Sequence, residues 1–335
     1  MKNLIIDLEK HFPPAFHLFE PCDYFSPFIP LDQFKELQVI PDKKYCEDRY
    51  GIDVIEDWSL LENEYDMVVF IWPVHTFNDM PYTPNTSERR EYFKMIYDKL
   101  SNIKINRVIY LDDTDRAVVR GGLMWLRENN MKCDFVFKRE YRKDWIDEYD
   151  DDVFPFPFIV YGKPNAPWTL YEERIKIIPE NRIPSCFWAG TAIYRTREPY
   201  PDEYCNRLEI LQKIHPYLLT ANNLSNADFI KAISSFKYFL NLNGTGHLCK
   251  RFFEGLSTNS LMLMQRTDLV FPFEDGDYFS EETLFSTAEE FVEKYTLLQK
   301  DEFLYQKCLL NQIYIVDKYF NYKWIKNYIE SKYSL

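Results

Sequence analysis

The sequence predicts an α/β protein of two βαβ domains that face a central cleft, and three observations point there. Short apolar runs without strict alternation recur along the chain and fit parallel strands covered on both faces. Helical patterns separate many of them, which is the grammar of strand, helix and strand. A proline-dense stretch divides the series in two, and 335 residues exceed what one hydrophobic core usually organises.

In the first half, strands are expected at residues 3–6, 67–72, 107–111 and 133–137. A helix fits residues 87–100, where Tyr92, Phe93, Ile96, Tyr97 and Leu100 fall at helical spacing behind Ser87. From 150 to 184 the texture changes: three aspartates are followed by Pro155, Pro157, Pro164, Pro167, Pro179 and Pro184. Proline fixes φ and lacks an N–H, so this density is not expected inside a sheet or helix and reads as the crossing between domains. Beyond it, strands at 185–188, 216–220, 238–242 and 260–264 alternate with helices at 202–214, 226–234 and 248–258. Helices over 287–300 and 311–334 close the chain. The expected organisation is a first domain over 1–160, a crossing over 161–184, a second domain over 185–310, and terminal helices over 311–335 able to pack back on the first domain. Such units bind ligands beyond the carboxyl ends of their strands, which is where the cleft is expected.

A formal charge of −13 argues against sequence-independent binding to nucleic acid or to an anionic membrane, since either needs a basic surface. Cys22, Cys46, Cys133, Cys186, Cys205, Cys249 and Cys308 are scattered and form no C-x-x-C pair, so they read as free thiols in a reducing compartment. The apolar start is shorter than a signal segment, and the longest apolar run, residues 67–74, is too short to cross a bilayer. A soluble, cytoplasmic protein without a transmembrane segment is the expectation. Aromatic residues make up 18% of the chain, enough to line a cleft as well as fill two cores.

The most informative stretch is residues 237–265, KYFLNLNGTGHLCKRFFEGLSTNSLMLMQ. An apolar strand runs into Asn243, Gly244, Thr245 and Gly246, and a helix starts near His247 or Leu248. Glycines there let successive N–H groups turn outward at the positive end of a helix, a ready site for phosphate. Lys250 and Arg251 lie early on that helix, where a basic side chain can fold back over the same anion, and Glu254 lies near enough to take the hydroxyls of a ribose. The alternative is a plain strand-to-helix turn, with Lys250 and Glu254 as an i,i+4 surface pair.

This run resembles the donor-binding signature of glycosyltransferases with two Rossmann-like domains, the GT-B architecture. There a strand, a small-residue loop and a basic residue precede a glutamate phrase and a short apolar strand. Here the phrase stands as Glu254, Gly255, Leu256, Ser257, Thr258, Asn259 and Ser260, followed by Leu261 to Met264, with Asn259 where glycine is usual. The longer pattern also looks like the CAP10-type and, more distantly, the exostosin-type branches, which carry a strand end of the kind seen in Phe187, Trp188, Ala189, Gly190 and Thr191. Arg195, Arg197 and a helix with Arg207 follow it. The resemblance covers roughly residues 183–300.

It implies a glycosyltransferase, of hexosyl or pentosyl type, that moves a sugar from a nucleoside diphosphate donor to a hydroxyl of a glycan or glycoconjugate, with inversion and without a metal. Gly244, Thr245 and Gly246 would approach the diphosphate, Arg251 and Lys250 would neutralise the departing phosphate, and Glu254 would hold ribose. Gly190, Thr191 and Arg195 would sit across from them, although Arg195 also reads as a solvated loop arginine. No cofactor beyond the nucleotide-sugar co-substrate is implied.

The first domain would then hold the acceptor and a base. The strand at 107–111 ends in Asp112, Asp113, Thr114, Asp115 and Arg116, so a carboxylate at the strand end is a candidate to accept the acceptor's proton. Clustered like charges help raise the pKa of one of them. The alternative is an acidic turn that caps the next helix. His75, just past residues 67–74, is the second candidate, against a structural role. Asp23 and Tyr24, in the aromatic loop after the first strand, are candidates for acceptor contact or surface packing. Lys138 and Arg139 are further candidates to assist the phosphates.

Two rivals remain at this stage. Asp113, Thr114 and Asp115 form a D-x-D after an apolar strand, which is how single-domain GT-A glycosyltransferases hold Mn²⁺ or Mg²⁺ against the donor diphosphate. The other is a nucleotide-sugar-binding module without chemistry. Hydrolase phrases of the G-x-S-x-G or H-E-x-x-H type are absent from the sequence.

Overall fold

The computed structural model describes residues 3–7, 38–40, 61–72, 98–112, 133–148, 152–155, 181–190, 206–221, 224, 226–243, 250–320 and 322–333. The chain divides into two compact units. The first comprises Met1–Phe158, Leu269–Pro272 and Tyr328–Leu335; the second comprises Ile159–Asp268 and Phe273–Asn327.

The first unit is built on a parallel six-stranded sheet. Its strands are β1 (Asn3–Asp7), β2 (Gln38–Ile40), β4 (Met67–Trp72), β6 (Val108–Asp112), β7 (Phe135–Lys138) and β8 (Val153–Pro155), in the order β2-β1-β4-β6-β7-β8. A separate two-residue pair joins β3 (Glu64–Tyr65) to β5 (Lys104–Ile105). All five residues of β6 are buried, as an apolar run in the middle of a parallel sheet requires. The segment that starts at Leu269 returns to this unit, where Val270 N–H donates to Tyr141 O at 2.9 Å.

The second unit repeats the plan. Strands β9 (Ile183–Ala189), β10 (Leu218–Ala221), β11 (Phe236–Asn241), β12 (Leu261–Gln265) and β13 (Leu284–Phe285) form a parallel sheet in the order β10-β9-β11-β12-β13. Helices α1 (Asn206–Ile214), α2 (Asn226–Ser234), α3 (Lys250–Leu256), α4 (Ala288–Lys300) and α5 (Glu302–Tyr319) accompany it, and α6 (Tyr322–Tyr333) runs back into the first unit. Side chains alternate along β9 and β11, so the two faces take different partners. Cys186, Trp188, Tyr238, Leu240 and Leu242 pack with Ile210 and Ile214 of α1, Phe291 and Tyr295 of α4, and Tyr305 of α5. On the opposite face Phe187 stacks on Phe236 at 4.9 Å, and Phe229 of α2 meets Phe239 edge-on.

Each sheet counted from its own first strand reads 2-1-3-4-5, with a sixth strand added in the first unit. The direction of chain progress reverses between β1 and β4 and again between β9 and β11. This is a doubly wound α/β fold of two Rossmann-like domains.

Three expectations change. The proline-rich stretch does enter the sheets. Pro155 ends β8, an edge strand where a missing N–H is tolerated. Pro184 lies within β9, where the pairing advances from Ile183↔Phe236 to Cys186↔Tyr238, leaving one extra residue on β9 at a bulge. The closing helix expected over 311–334 is two helices. Asp301 starts α5 by accepting from Leu304 N–H at 2.9 Å, and the helix stops before Phe320, which is buried among Phe252, Phe253 and Phe273. The single-domain GT-A architecture is excluded, because two separate parallel sheets organise the chain. Among the described residues no helix is long and apolar enough to cross a membrane.

Candidate functional site

In an open parallel sheet, adjacent crossovers leave in opposite directions at the switch point, and a crevice opens beyond the carboxyl ends of those strands. In the second unit the switch lies between β9 and β11. The chain leaves β9 through Trp188, Ala189 and Gly190, and it leaves β11 through Asn241, Leu242 and Asn243.

Arg251, on the first turn of α3, reaches the end of β9. Its guanidinium carbon lies 5.5 Å from the centroid of the Trp188 ring, a cation–π contact with a mostly buried indole. Gly190 makes room for it. A Cβ built there would fall 1.9 Å from Arg251 Nη2 and 2.7 Å from Cζ, and the φ of +150° is one that side-chain-bearing residues rarely adopt. The backbone conformation therefore calls for glycine at this strand end, and Arg251 occupies the space that a side chain there would take. Among the described residues, Arg251 Nη1 and Trp188 Nε1 are buried and have no hydrogen-bond acceptor. A buried N–H without an acceptor is costly, and an anionic ligand that supplies one removes the cost.

The exit of β11 is held from two sides. Arg207 of α1 donates through Nε to Asn243 O at 2.9 Å and through Nη2 to Leu242 O at 3.0 Å. From β12, Gln265 Oε1 accepts from Asn243 N–H at 3.1 Å, and Asn243 Nδ2 donates to Arg266 O at 2.8 Å. Asn243 is the last described residue before the glycine turn.

The glutamate phrase ends α3 and seats it. Gly255 faces Phe239 so closely that a Cβ would lie 2.0 Å from the ring, so only glycine lets the helix approach β11. Ser257 Oγ donates to Glu254 O at 2.7 Å and Thr258 Oγ1 to Gly255 O at 2.8 Å, which satisfies carbonyls at the helix end. Ser260 Oγ lies 2.7 Å from both Ile233 O and Phe236 O, tying the start of β12 to the end of α2. Glu254 is only 5% exposed, which removes the surface-pair reading of Lys250 and Glu254.

In the first unit Asp112 is the last residue of β6 and stands opposite Lys138 in the register of β7. Lys138 Nζ lies 3.2 Å from Asp112 Oδ1 with both side chains fully buried. Burial lowers the pKa of this ammonium, and the Asp112 charge opposes that shift. Arg139, Glu140 and Arg142 are also at most 4% exposed, and Arg142 lies 3.7 Å from Glu140. Lys138 and Arg139 thus belong to a buried charged cluster at the carboxyl edge of the sheet.

Of the candidates read from the sequence, the structure brings together Gly190 and Arg251 at one strand end, with Glu254 on the same helix as Arg251. Lys250 opens α3, its side chain outside the described set. Asp113, Asp115, His75, Thr191, Arg195, Gly244, Thr245, Gly246, Asp23 and Tyr24 lie outside the described residues. Trp188, Asn243 and Gln265 were not foreseen as site residues. Trp188 and Asn243 stand inside the quoted phrases and Gln265 follows one, but only the approach of distant segments reveals the part each plays.

No protein-family model matches the chain, and no curated protein matches it in sequence. Solved structures do match over the whole of both chains. T4 phage β-glucosyltransferase in complex with its UDP-glucose substrate aligns with a TM-score of 0.54 at 10% identity, and the same enzyme with UDP and Mn²⁺ gives the same values. Anabaena Alr3699/HepE in complex with UDP aligns with a TM-score of 0.57 at 10% identity. The fold is GT-B. The likeness reaches that fold and no narrower branch, so the CAP10-type and exostosin-type resemblance stays with the sequence motifs alone. Within the GT-B frame, Gly190, Arg251 and the exit of β11 occupy the switch point of the second Rossmann-like domain.

Proposed function

We propose that the chain is a glycosyltransferase that moves a sugar from a nucleoside diphosphate donor to a hydroxyl of a glycan or glycoconjugate. The observation that carries this reading is Arg251, stacked on Trp188 over Gly190, with a buried Nη1 that has no acceptor among the described residues. That is the group needed where a sugar–phosphate bond breaks and charge grows on the departing diphosphate. UDP-glucose is the first donor to test, since both structural neighbours have been solved with it.

In this reading Gly244, Thr245 and Gly246 approach the diphosphate, Arg251 and Lys250 offset its charge, and Glu254 holds the ribose. Thr191 and Arg195 close the site beyond Gly190. On the acceptor side, with Asp23 and Tyr24 as contacts, a base takes the proton of the acceptor hydroxyl. The oxygen attacks the anomeric carbon from the face opposite the diphosphate, the bond to phosphate breaks, and the configuration inverts. Asp112 stands in the buried pair with Lys138, so the base role falls to Asp113 or Asp115, with His75 as the second choice. The cations of the second unit do the work that a divalent ion does elsewhere, and the reaction proceeds without metal.

A thermal-shift series with UDP-, GDP- and dTDP-sugars tests the donor, since a ligand of the folded state alone raises the unfolding midpoint. A midpoint raised by UDP-glucose in wild type and unmoved in Arg251→Ala is the expected result; no shift with any donor sinks the reading. Transfer should survive EDTA, whereas loss with rescue by Mn²⁺ would restore a metal. Binding without turnover on any acceptor would leave a binding module. One neighbour is a DNA-modifying β-glucosyltransferase, but the −13 charge of this chain disfavours a nucleic-acid acceptor. Duplex DNA belongs in the acceptor panel as the control expected to fail.

A further inference from the structure

We propose that Arg207 is a positioning residue for the donor diphosphate. It rests on the donor reading above and adds to it a residue that touches no substrate. The guanidinium is 3% exposed and its fork reaches two successive carbonyls, Leu242 O and Asn243 O, just where β11 ends. A lysine there has the charge but one nitrogen, so it cannot hold both carbonyls in one plane.

The position gives the clamp its purpose. Strand pairing between β11 and β12 ends at Asn241↔Met264, so beyond it no ladder bond fixes the direction of the chain. Arg207 from α1 and Gln265 from β12 take over at Leu242 and Asn243. Seven residues after Asn243 the chain enters α3, which carries Arg251. The clamp therefore fixes the backbone at Leu242 and Asn243, the point from which the chain sets out towards α3 and Arg251. Recognition of a diphosphate falls steeply when its donors are displaced by even an ångström, so the clamp acts on donor affinity through geometry.

The test compares UDP with UMP by titration calorimetry on the full chain, in wild type, Arg207→Lys, Gln265→Ala and Arg251→Ala. In wild type the second phosphate should tighten binding. In Arg207→Lys that gain should shrink about tenfold, the factor that one lost hydrogen bond to a charged group corresponds to. UMP affinity and the unfolding midpoint should stay near wild type. Gln265→Ala, which loosens Asn243 from the other side, should give a smaller loss of the same kind. If Arg207→Lys keeps the full gain while Arg251→Ala loses it, the donor reading stands and the positioning role is wrong. If UDP and UMP weaken equally, or the midpoint falls with them, Arg207 serves the fold alone and the proposal is overturned. If wild type gains nothing from the second phosphate, the donor reading fails and takes this inference with it.

Discussion

The two units share one strand order and treat the carboxyl edge of the sheet in opposite ways. In the first unit one buried cation at that edge meets a carboxylate: Lys138 faces Asp112 at 3.2 Å. In the second, Arg207 holds Leu242 O and Asn243 O and so ties down the exit of β11. Arg251, at the end of β9, keeps a buried N–H without an acceptor among the described residues. Charge matched by charge makes a frame. A guanidinium N–H that lacks an acceptor among the described residues stays available to an anion. The same fold thus yields a closed edge and a receptive one by the choice of partner for each cation.

The largest effect should come from breaking the matched edge. Lys138→Met leaves Asp112 buried without its ammonium, and denaturant unfolding should show a loss of ~3–5 kcal/mol. The double variant Lys138→Met with Asp112→Leu should recover most of it, because desolvating a pair offsets much of what the pair contributes. A double variant as weak as the single one would mean that the pair itself is not what the first unit relies on.

On the receptive edge the effect should appear in function. Arg251→Ala is expected to lower transfer kcat/KM on the order of 100-fold while changing stability by less than ~1 kcal/mol, since the guanidinium is not part of a matched pair. A comparable loss of stability would place Arg251 in the frame and erase the contrast between the edges. Gly190→Ala follows: strain at a φ of +150° should cost ~1–3 kcal/mol, and the displaced Arg251 should weaken UDP binding about tenfold. Unchanged UDP affinity would show that Arg251 does not need its passage over Gly190.

The smallest effect sharpens the comparison through pH. Burial raises the Tyr295 hydroxyl from its ordinary value near 10 to about 12, and raises Tyr238 beside it as well. Each binds its proton more tightly in the fold than in the unfolded chain. Their contribution is complete below pH 10 and falls as pH rises towards 12. Lys138 runs the other way. Its pKa is lowered in the fold, so the cost of burying its charge disappears as pH rises towards the unfolded value of about 10.4. Stability measured against pH should therefore fall less steeply above pH ~10 in Tyr295→Phe, whereas Lys138→Met should remove a rise in stability that wild type shows as pH approaches ~10.4 from below. Parallel curves for the two variants would contradict this assignment.

Much of the second unit was legible because each of its longer elements carries a local signal. Strands β9, β11 and β12 each carry an apolar run, residues 186–189, 238–240 and 261–264, and α4 opens at Thr287, whose side chain accepts from Glu290 N–H at 3.1 Å. Strands β2 and β13, of three and two residues, are too short to show a period. Strand β8 was hidden by its proline, which only an edge position permits. The glycines and Arg251 stood out from the order of elements around them. Trp188 did not, because an indole within a strand reads as core until a guanidinium is found above it.

What the residues settled by themselves was local: where strands and helices form, that parallel strands repeat on either side of a proline-rich stretch, and where glycine and arginine bracket a strand end. These follow from nearest-neighbour sterics and periodic burial, which act along the chain. Tertiary structure decided which groups the cations meet. Asp112 and Lys138 are 26 positions apart, and Arg207 meets Asn243 across 36, so their partners depend on strand order. That order is set by the packing of whole elements, and no local pattern encodes it.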